Sequence, residues 1–188
     1  RIGQQAAREM IASRVGDGRG DASIVYTAPT PIPAGVWAPV PAVPGGMLAP
    51  WLGFVDNLVV DGPVAVDGPN ALNSGAYLTD YNEVKDVGVA AGSPTSRSQT
   101  QTDIAQFFAT SNPVAQLHGA LCNYLQANPI GLERTAELFA TSEAAVADSL
   151  IQAWRAKYEE GFWRPSEAIQ AGDNDTNSKT VGDPEWTS

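Results

Sequence analysis

The 188-residue chain has one cysteine, one histidine and few positive charges, with 11 Lys and Arg against 21 Asp and Glu. A single cysteine excludes an internal disulfide and a cysteine-based zinc site. The net charge of −10 argues against nucleic acid as a partner, because the phosphate backbone requires a basic protein surface. No apolar run approaches the roughly 18 residues needed to cross a bilayer, so we predict no membrane span.

The remaining composition is that of a globular protein. Hydrophobic residues make up 43% of the chain, which at this length is enough to bury a core within one domain. We expect a soluble protein that is secreted or periplasmic, although a chain with so few cysteines fits the cytoplasm equally well.

Helical spacing and turn residues divide the chain into four segments of one partial domain, residues 1–188. Residues 1–15 are predicted to be the end of a helix, and residues 16–74 an irregular strap rich in proline and glycine that covers helices with its large apolar side chains. Residues 75–164 are predicted to be helical, with Ser142 as the N-cap of the last helix. Residues 165–188 are predicted to be a loop that leads to a missing second half. Within the helical region, helices are expected at about 75–88, 98–110, 113–127, 131–139 and 142–164.

Two positive side chains lie seven residues apart at the expected end of the last helix. Seven residues at 100° each return to within about 20° of the starting direction, so Lys157 and Arg164 are predicted to point the same way. Trp154 precedes the lysine by three residues, and Pro165 disfavours helical geometry at Arg164. Two cations beside an indole suit an oxyanion such as phosphate or vanadate. The alternative is an amphipathic helix whose terminal cations complement its dipole. Gly161 either leaves room for the anion or is a weak point in the helix.

Other polar residues give weaker evidence for a functional site. We expect His118 to be a core residue rather than a ligand, and the stretch Asp173–Asn177 to be a polar loop rather than a calcium site, because its later positions lack glycine and glutamate.

The stretch Lys157-x6-Arg164-Pro165 resembles the first of three signature motifs of the type 2 phosphatidic acid phosphatase and vanadium-dependent haloperoxidase superfamily. Its neighbourhood, Trp154-x-x-Lys157-Tyr158-Glu159-x-x-Phe162-Trp163-Arg164-Pro165, is especially similar to the bacterial haloperoxidase branch. Weaker similarity covers Gly35-Val36-Trp37-Ala38-Pro39, Glu83-Val84-Lys85-x-x-Gly88 and Ser96-Arg97-Ser98 with the residues that follow. The resemblance runs from about residue 35 to the end of the chain.

The resemblance also identifies what this sequence does not contain. The second family motif, Pro-Ser-Gly-His, and the third, Ser-Arg-x5-His, are absent, and Leu117-His118-Gly119 matches neither. The family implies that one missing histidine bonds the vanadium or phosphorus and that the other handles protons. We therefore interpret the chain as an inactive fragment, because it begins at Arg1 and stops at Asp183-Pro184-Glu185-Trp186, where the resemblance implies that the second motif is near. Its predicted partner is the remaining C-terminal half, which carries the histidine motifs.

The expected structure is an all-α helical bundle of the haloperoxidase and acid phosphatase type, with the site between facing helices. The resemblance implies vanadate held by Lys157 and Arg164, with Trp154 lining the halide side. The implied reaction is oxidation of a halide by hydrogen peroxide, followed by halogenation of a small organic substrate. One alternative is an acid phosphatase that uses the same oxyanion site. Another is a non-catalytic helical interaction domain that kept the fold and lost the chemistry.

Overall fold

The computed structural model describes residues 1–39, 46–110 and 112–188, so part of the predicted strap, residues 40–45, lies outside the described residues. Its helices are α1 (Ile2–Ser13), α2 (Gly75–Val87), α3 (Gln99–Ala109), α4 (Pro113–Ala127), α5 (Leu132–Glu160) and α6 (Pro165–Gln170). There are also 3-10 turns at Pro50–Phe54 and Gly172–Asn174, and the described residues form no β-strand. The predicted all-α class is confirmed. The haloperoxidase-type bundle stays a prediction.

Helices α2, α3 and α4 begin at polar residues whose side chains cap them. Ser74 accepts a hydrogen bond from the backbone N–H three residues on, and Asn112 accepts from the N–H two residues on. Ser98 and Gln101 form a reciprocal capping box at the start of α3. Each cap satisfies N–H groups that a helix start leaves without a partner. The three helices accordingly lie within about a residue of the predicted bounds.

The prediction of two helices at 131–139 and 142–164 is wrong on two counts. A single helix, α5, runs through Ser142, because no glycine or proline interrupts residues 132–160 and the helix needs no second start. It ends at Glu160, four residues before Arg164. The cause is Gly161, which adopts left-handed geometry with φ of +49°, and not the proline at 165.

The prediction that residues 165–188 form a loop is wrong for Pro165–Gln170, which form α6, and for the 3-10 turn at Gly172–Asn174, whereas residues 175–188 form no regular element. Pro165 opens α6 as its first residue, a position that suits proline because the N–H it lacks would have no partner there. Ile169 and Trp186 are then buried in a small core with the side chains of α2 and the start of α6. The core consists of Tyr77, Tyr81, Trp163, Ala168, Ile169 and Trp186. This segment folds against α2 because its apolar side chains pack with Tyr77 and Tyr81. The many polar residues around these side chains led to the prediction of a loop.

The described residues of the strap, 16–74, form no regular element other than the Pro50–Phe54 turn and an isolated bridge between Val36 and Phe162. The turn lies directly on α5. Gly53 permits this contact, because a Cβ at that position would lie 2.5 Å from the backbone nitrogen of Arg155. No described helix is long and apolar enough to cross a membrane.

A buried carboxylate joins the strap to the middle of α5. Asp148 is 2% exposed and accepts hydrogen bonds from the backbone N–H groups of Leu58, Val59 and Val60 at 2.6, 2.8 and 2.9 Å. Burial acts to raise the pKa of Asp148, but the three N–H groups and the charge on Arg14 outweigh it, so the pKa lies below its ordinary value. The ionised carboxylate therefore stabilises the fold.

We predict that Asp148→Asn lowers the free energy of unfolding by about 2 kcal/mol, because the amide presents a donor to backbone donors. The native pKa is depressed, so the stabilisation is fully present above the unfolded pKa of about 3.9 and is lost as pH falls through the native pKa. Urea unfolding between neutral pH and about pH 3 should show a steeper acid loss in the wild type than in the variant.

Asp61→Asn is the matched control, because Asp61 is an exposed strap carboxylate. Its unfolding free energy should stay within about 0.5 kcal/mol of the wild type. Equal effects of the two substitutions would show that Asp148 does not hold the strap.

Candidate functional site

The end of α5 and the strap together enclose a cavity of about 770 Å³, which we call the cation cavity. All three predicted site residues, Trp154, Lys157 and Arg164, line it. Its described lining is Trp37, Gly46, Met47, Leu48, Trp154, Ala156, Lys157, Glu160, Phe162 and Arg164. The volume is in the range of small-molecule sites, about 300–1,000 Å³.

The two cations reach this cavity by a route that differs from the sequence prediction. They do not lie on one helix face, because α5 ends at Glu160. Lys157 is in the last turn of α5, whereas Arg164 has extended backbone geometry, with φ of −75° and ψ of 154°, and caps α6. The left-handed turn at Gly161 redirects the chain between them. The seven-residue spacing therefore brings the cations to one cavity through a turn.

Two backbone hydrogen bonds hold the strap against this turn. The N–H of Trp37 donates to the carbonyl of Gly161 at 2.7 Å, and the N–H of Trp163 donates to the carbonyl of Gly35 at 3.1 Å. They flank the antiparallel bridge between Val36 and Phe162. The Trp37 side chain is thereby fixed as one wall of the cation cavity.

Each cation lies over the face of an indole. The ammonium nitrogen of Lys157 is 4.6 Å from the ring centroid of Trp154, and the guanidinium carbon of Arg164 is 5.4 Å from that of Trp37. At these distances the negative face of the ring attracts the cation. The Trp154 indole N–H also donates to the carbonyl of Leu48 at 3.0 Å, which ties the α5 wall to the strap. The indoles thus orient both cations before any ligand arrives.

Neither Lys157 nor Arg164 forms an ion pair within 4.0 Å among the described residues. Glu160 also lines the cavity, and its carboxylate faces Gly68, where a Cβ would lie 3.3 Å from each carboxylate oxygen. The side chains of the described lining therefore carry one net positive charge. Both cations are exposed, so their N–H donors are free to bond a small anion.

The single histidine of the chain is elsewhere. His118 lies on α4, where its Nδ1 is 2.6 Å from a carboxylate oxygen of Glu143 and its ring packs on Phe139. Its side chain is 54% exposed, so the prediction of a core histidine is wrong. It does not line the cation cavity. This chain therefore contributes cations and aromatic walls to the site, but no imidazole.

The polar stretch Asp173–Asn177 proves to be an internal support. Asp175 is fully buried and accepts a 2.7 Å hydrogen bond from the hydroxyl of Thr180. Burial raises the pKa of the neighbouring Tyr77 hydroxyl well above its ordinary value, and the charge on Asp175 adds to the effect. Oδ1 of Asp175 also accepts a 2.9 Å hydrogen bond from the N–H of Asn177, so it links residues of the same loop, while Oδ2 has no hydrogen-bond partner among the described residues. Across the described ranges no three potential metal ligands gather.

Several lining residues of the cavity were not predicted as site residues. Trp37 and Phe162 were named only within the stretches that carry the family resemblance, and Leu48 and Glu160 were not named. These residues line the cavity because the strap contacts the end of α5. No local sequence pattern predicts that contact. A pairing of two segments some 125 residues apart leaves no spacing to detect.

No family model, curated protein or solved structure matches this chain. The structure itself defines the class of protein, an all-α chain with a cavity that is lined by two cations and two indoles. The family resemblance rests only on the residues quoted above.

The sequence left two interpretations of Gly161, and the structure favours neither. The residue ends the helix instead of weakening it, and a Cβ there would lie 2.6 Å from the hydroxyl of Tyr26, so the space beside it is occupied. We predict that Gly161→Ala lowers the free energy of unfolding by about 2 kcal/mol, through strain at positive φ and this clash. Urea unfolding measures the change.

Gly119→Ala is the control, because Gly119 is inside α4 with open space at its Cβ position. This change should leave the protein unchanged or more stable by up to about 1 kcal/mol, since alanine favours helix. Combining Gly161→Ala with Tyr26→Phe should restore part of the loss. No recovery in the double variant would exclude the hydroxyl contact as a cause.

Proposed function

We propose that this chain supplies the cationic half of an oxyanion site in a vanadium-dependent haloperoxidase-like enzyme. The observation that carries the proposal is the convergence of Lys157 and Arg164 in one cavity, each over an indole and neither in an ion pair among the described residues. The Lys157-x6-Arg164-Pro165 resemblance is the second support. The proposal extends to substrates of the family type, namely a halide, hydrogen peroxide and a small organic acceptor.

The donor set fits vanadate as far as its charge is concerned. A tetrahedral oxyanion needs several positively charged donors, and this cavity has two cations, each beside an aromatic wall. It does not fit the covalent bond that the family implies, because the chain has one histidine and that residue is bound to Glu143 elsewhere. We therefore propose that a histidine-bearing segment outside residues 1–188 completes the site.

Each named residue has a separate proposed role. Arg164 offers paired N–H donors that neutralise charge on the anion oxygens, and Lys157 offers a point charge that can polarise an oxygen on the reacting side. Trp154 lines the halide side and holds Lys157 in place. Because both cations are already oriented, they stabilise developing negative charge with little reorganisation. When bound, vanadate supplies the activation of peroxide.

Acid phosphatase activity is the second candidate, because phosphate and vanadate share charge and tetrahedral shape and the two cations do not distinguish them. A non-catalytic interaction domain is the third, and the missing imidazole favours it. Export from the cytoplasm to a secreted or periplasmic location is part of the proposal and rests on the family resemblance alone.

The first test is direct anion binding by the 188-residue chain, measured by vanadium NMR of added orthovanadate with phosphate as competitor. We expect measurable binding, weakened about tenfold in Lys157→Ala and in Arg164→Ala, since each loses a charge-assisted contact of about 1.4 kcal/mol. Lys179→Ala is the control, because Lys179 is exposed and does not line the cavity. Binding that ignores both cavity substitutions excludes the proposed site.

The second test separates the two chemistries in a protein that includes the histidine-bearing segment. Halogenation of monochlorodimedone with vanadate and peroxide is compared with hydrolysis of p-nitrophenyl phosphate, each with and without Lys157→Ala. The haloperoxidase proposal requires halogenation that falls in the variant. Hydrolysis alone would assign the phosphatase, and the absence of both activities would favour the interaction domain.

A further inference from the structure

A second cavity, of about 380 Å³, lies between α2 and the segment that follows α5, and we call it the aromatic cavity. Four aromatic side chains line it, Tyr77 and Tyr81 from α2 with Phe162 and Trp163 from the segment before α6. Its volume is near the lower end of the range for small-molecule sites. Of the described lining residues, only Phe162 is shared with the cation cavity, so the two cavities have different walls.

The polar atoms of these aromatic side chains contribute little to the surface of the aromatic cavity. The hydroxyl of Tyr81 donates to the carbonyl of Val181 at 2.8 Å. The hydroxyl of Tyr77 and the indole nitrogen of Trp163 are buried, with almost no accessible surface. A ligand in the cavity therefore meets mainly ring carbons, which offer apolar contact and the electron-rich π-systems of the rings.

The charge at the aromatic cavity is negative. Asp80, on the same helix as the two tyrosines, is the one charged side chain of the described lining, and it forms no ion pair among the described residues. The side-chain amide of Asn70 donates to its carboxylate at 2.8 Å and holds it in place. A second carboxylate, that of Glu160, lies against Gly68, which also lines the cavity. The described lining thus has a negative charge without a positive one to balance it.

Aromatic walls beside such a carboxylate match a methylated ammonium group. The rings attract its positive charge, and its methyl groups replace the water that a primary ammonium holds strongly. An apolar side chain in this place would leave Asp80 without a counter-charge. An arginine head would bring several N–H donors to a lining whose side-chain acceptors, apart from the tyrosine hydroxyls, are at Asn70 and Asp80. A quaternary ammonium has no N–H group and needs no acceptor.

We propose that the aromatic cavity binds a small quaternary ammonium group of the size of choline, with its charge facing Asp80 and its methyl groups against the four rings. Choline free in solution and a phosphatidylcholine head group carry this same chemistry. The site is independent of vanadate, of phosphate and of the histidine-bearing segment, so its test does not depend on the oxyanion site.

Calorimetric titration of the 188-residue chain with choline tests the proposal. The matched ligand is neutral dimethylbutanol, in which a tert-butyl group replaces the trimethylammonium group. We expect saturable binding of choline, about tenfold tighter than that of the alcohol, because only the charged ligand gains from the rings and from Asp80. Asp80→Asn keeps an acceptor for Asn70 and should weaken choline binding about threefold, the effect of an exposed ion pair, without changing the binding of the alcohol.

Glu83→Gln is the control variant, because Glu83 is exposed on the same helix and does not line the aromatic cavity. It removes the same charge and should leave choline binding unchanged, and circular dichroism checks the helicity of both variants. Co-sedimentation with phosphatidylcholine vesicles separates the two sources of the group. Choline binding without vesicle binding assigns a free compound, whereas binding of both includes the head group, and either result supports the proposal.

Three results would overturn it. The first is the absence of saturable choline binding, even if the chain binds vesicles. The second is equal affinity for choline and the neutral alcohol, because the cavity would then not recognise charge. The third is an equal loss of choline binding in Asp80→Asn and Glu83→Gln, which would place the bound cation elsewhere on this acidic chain.

Discussion

The cation cavity depends on one main-chain contact, the short antiparallel pairing of residues 35–37 with residues 161–163. Two hydrogen bonds of 2.7 and 3.1 Å fix the strap at the point where α5 stops. On the strap, the pairing positions Trp37 as a wall of the cavity. After α5, it directs the chain so that Arg164 lines the same cavity as Lys157. Without this pairing, nothing on the strap would fix the direction of the chain after Gly161, and Arg164 would not be held near Lys157.

The strap is held along α5 by contacts of quite different kinds. Asp148 anchors it electrostatically through three backbone N–H groups, and Gly53 allows backbone-to-backbone approach. The indole of Trp154 adds a third tie through the carbonyl of Leu48. Together these contacts hold the described part of the strap, an irregular segment with one 3-10 turn, against α5. The strap is therefore the feature that converts a solvent-facing helix end into a cavity.

The sequence predicted best those elements whose signals are local. Caps at Ser74, Ser98 and Asn112 mark where α2, α3 and α4 begin, since a cap acts on the N–H groups within the next turn. The sequence-based prediction failed where one residue type is compatible with two positions in a helix. Ser142 resembles a cap but lies inside α5, and Pro165 resembles a helix stop but starts α6.

The sequence predicted that Lys157 and Arg164 converge along one helix face, and the structure brings them together in a different way. Lys157 and Arg164 do share a cavity, but through a turn and a second wall rather than one helix line. The contributions of Trp37 and of Gly46, Met47 and Leu48 to the cavity wall could not be predicted, because a contact across more than 100 residues depends on how the chain folds back. The burial of Ala168, Ile169 and Trp186 was missed for the same reason, since their neighbours include Tyr77 and Tyr81 on α2.

The central claim is that a single small oxyanion is shared by Lys157 and Arg164 between two indoles. A crystal structure of the chain soaked with tungstate, a heavy analogue of vanadate, tests it most directly, because the anomalous signal locates the anion without reference to the surrounding chain. The account predicts one peak within hydrogen-bonding distance of both side chains, with Trp37 and Trp154 on either side. Separate peaks at the two cations, or none in the cavity, would contradict it.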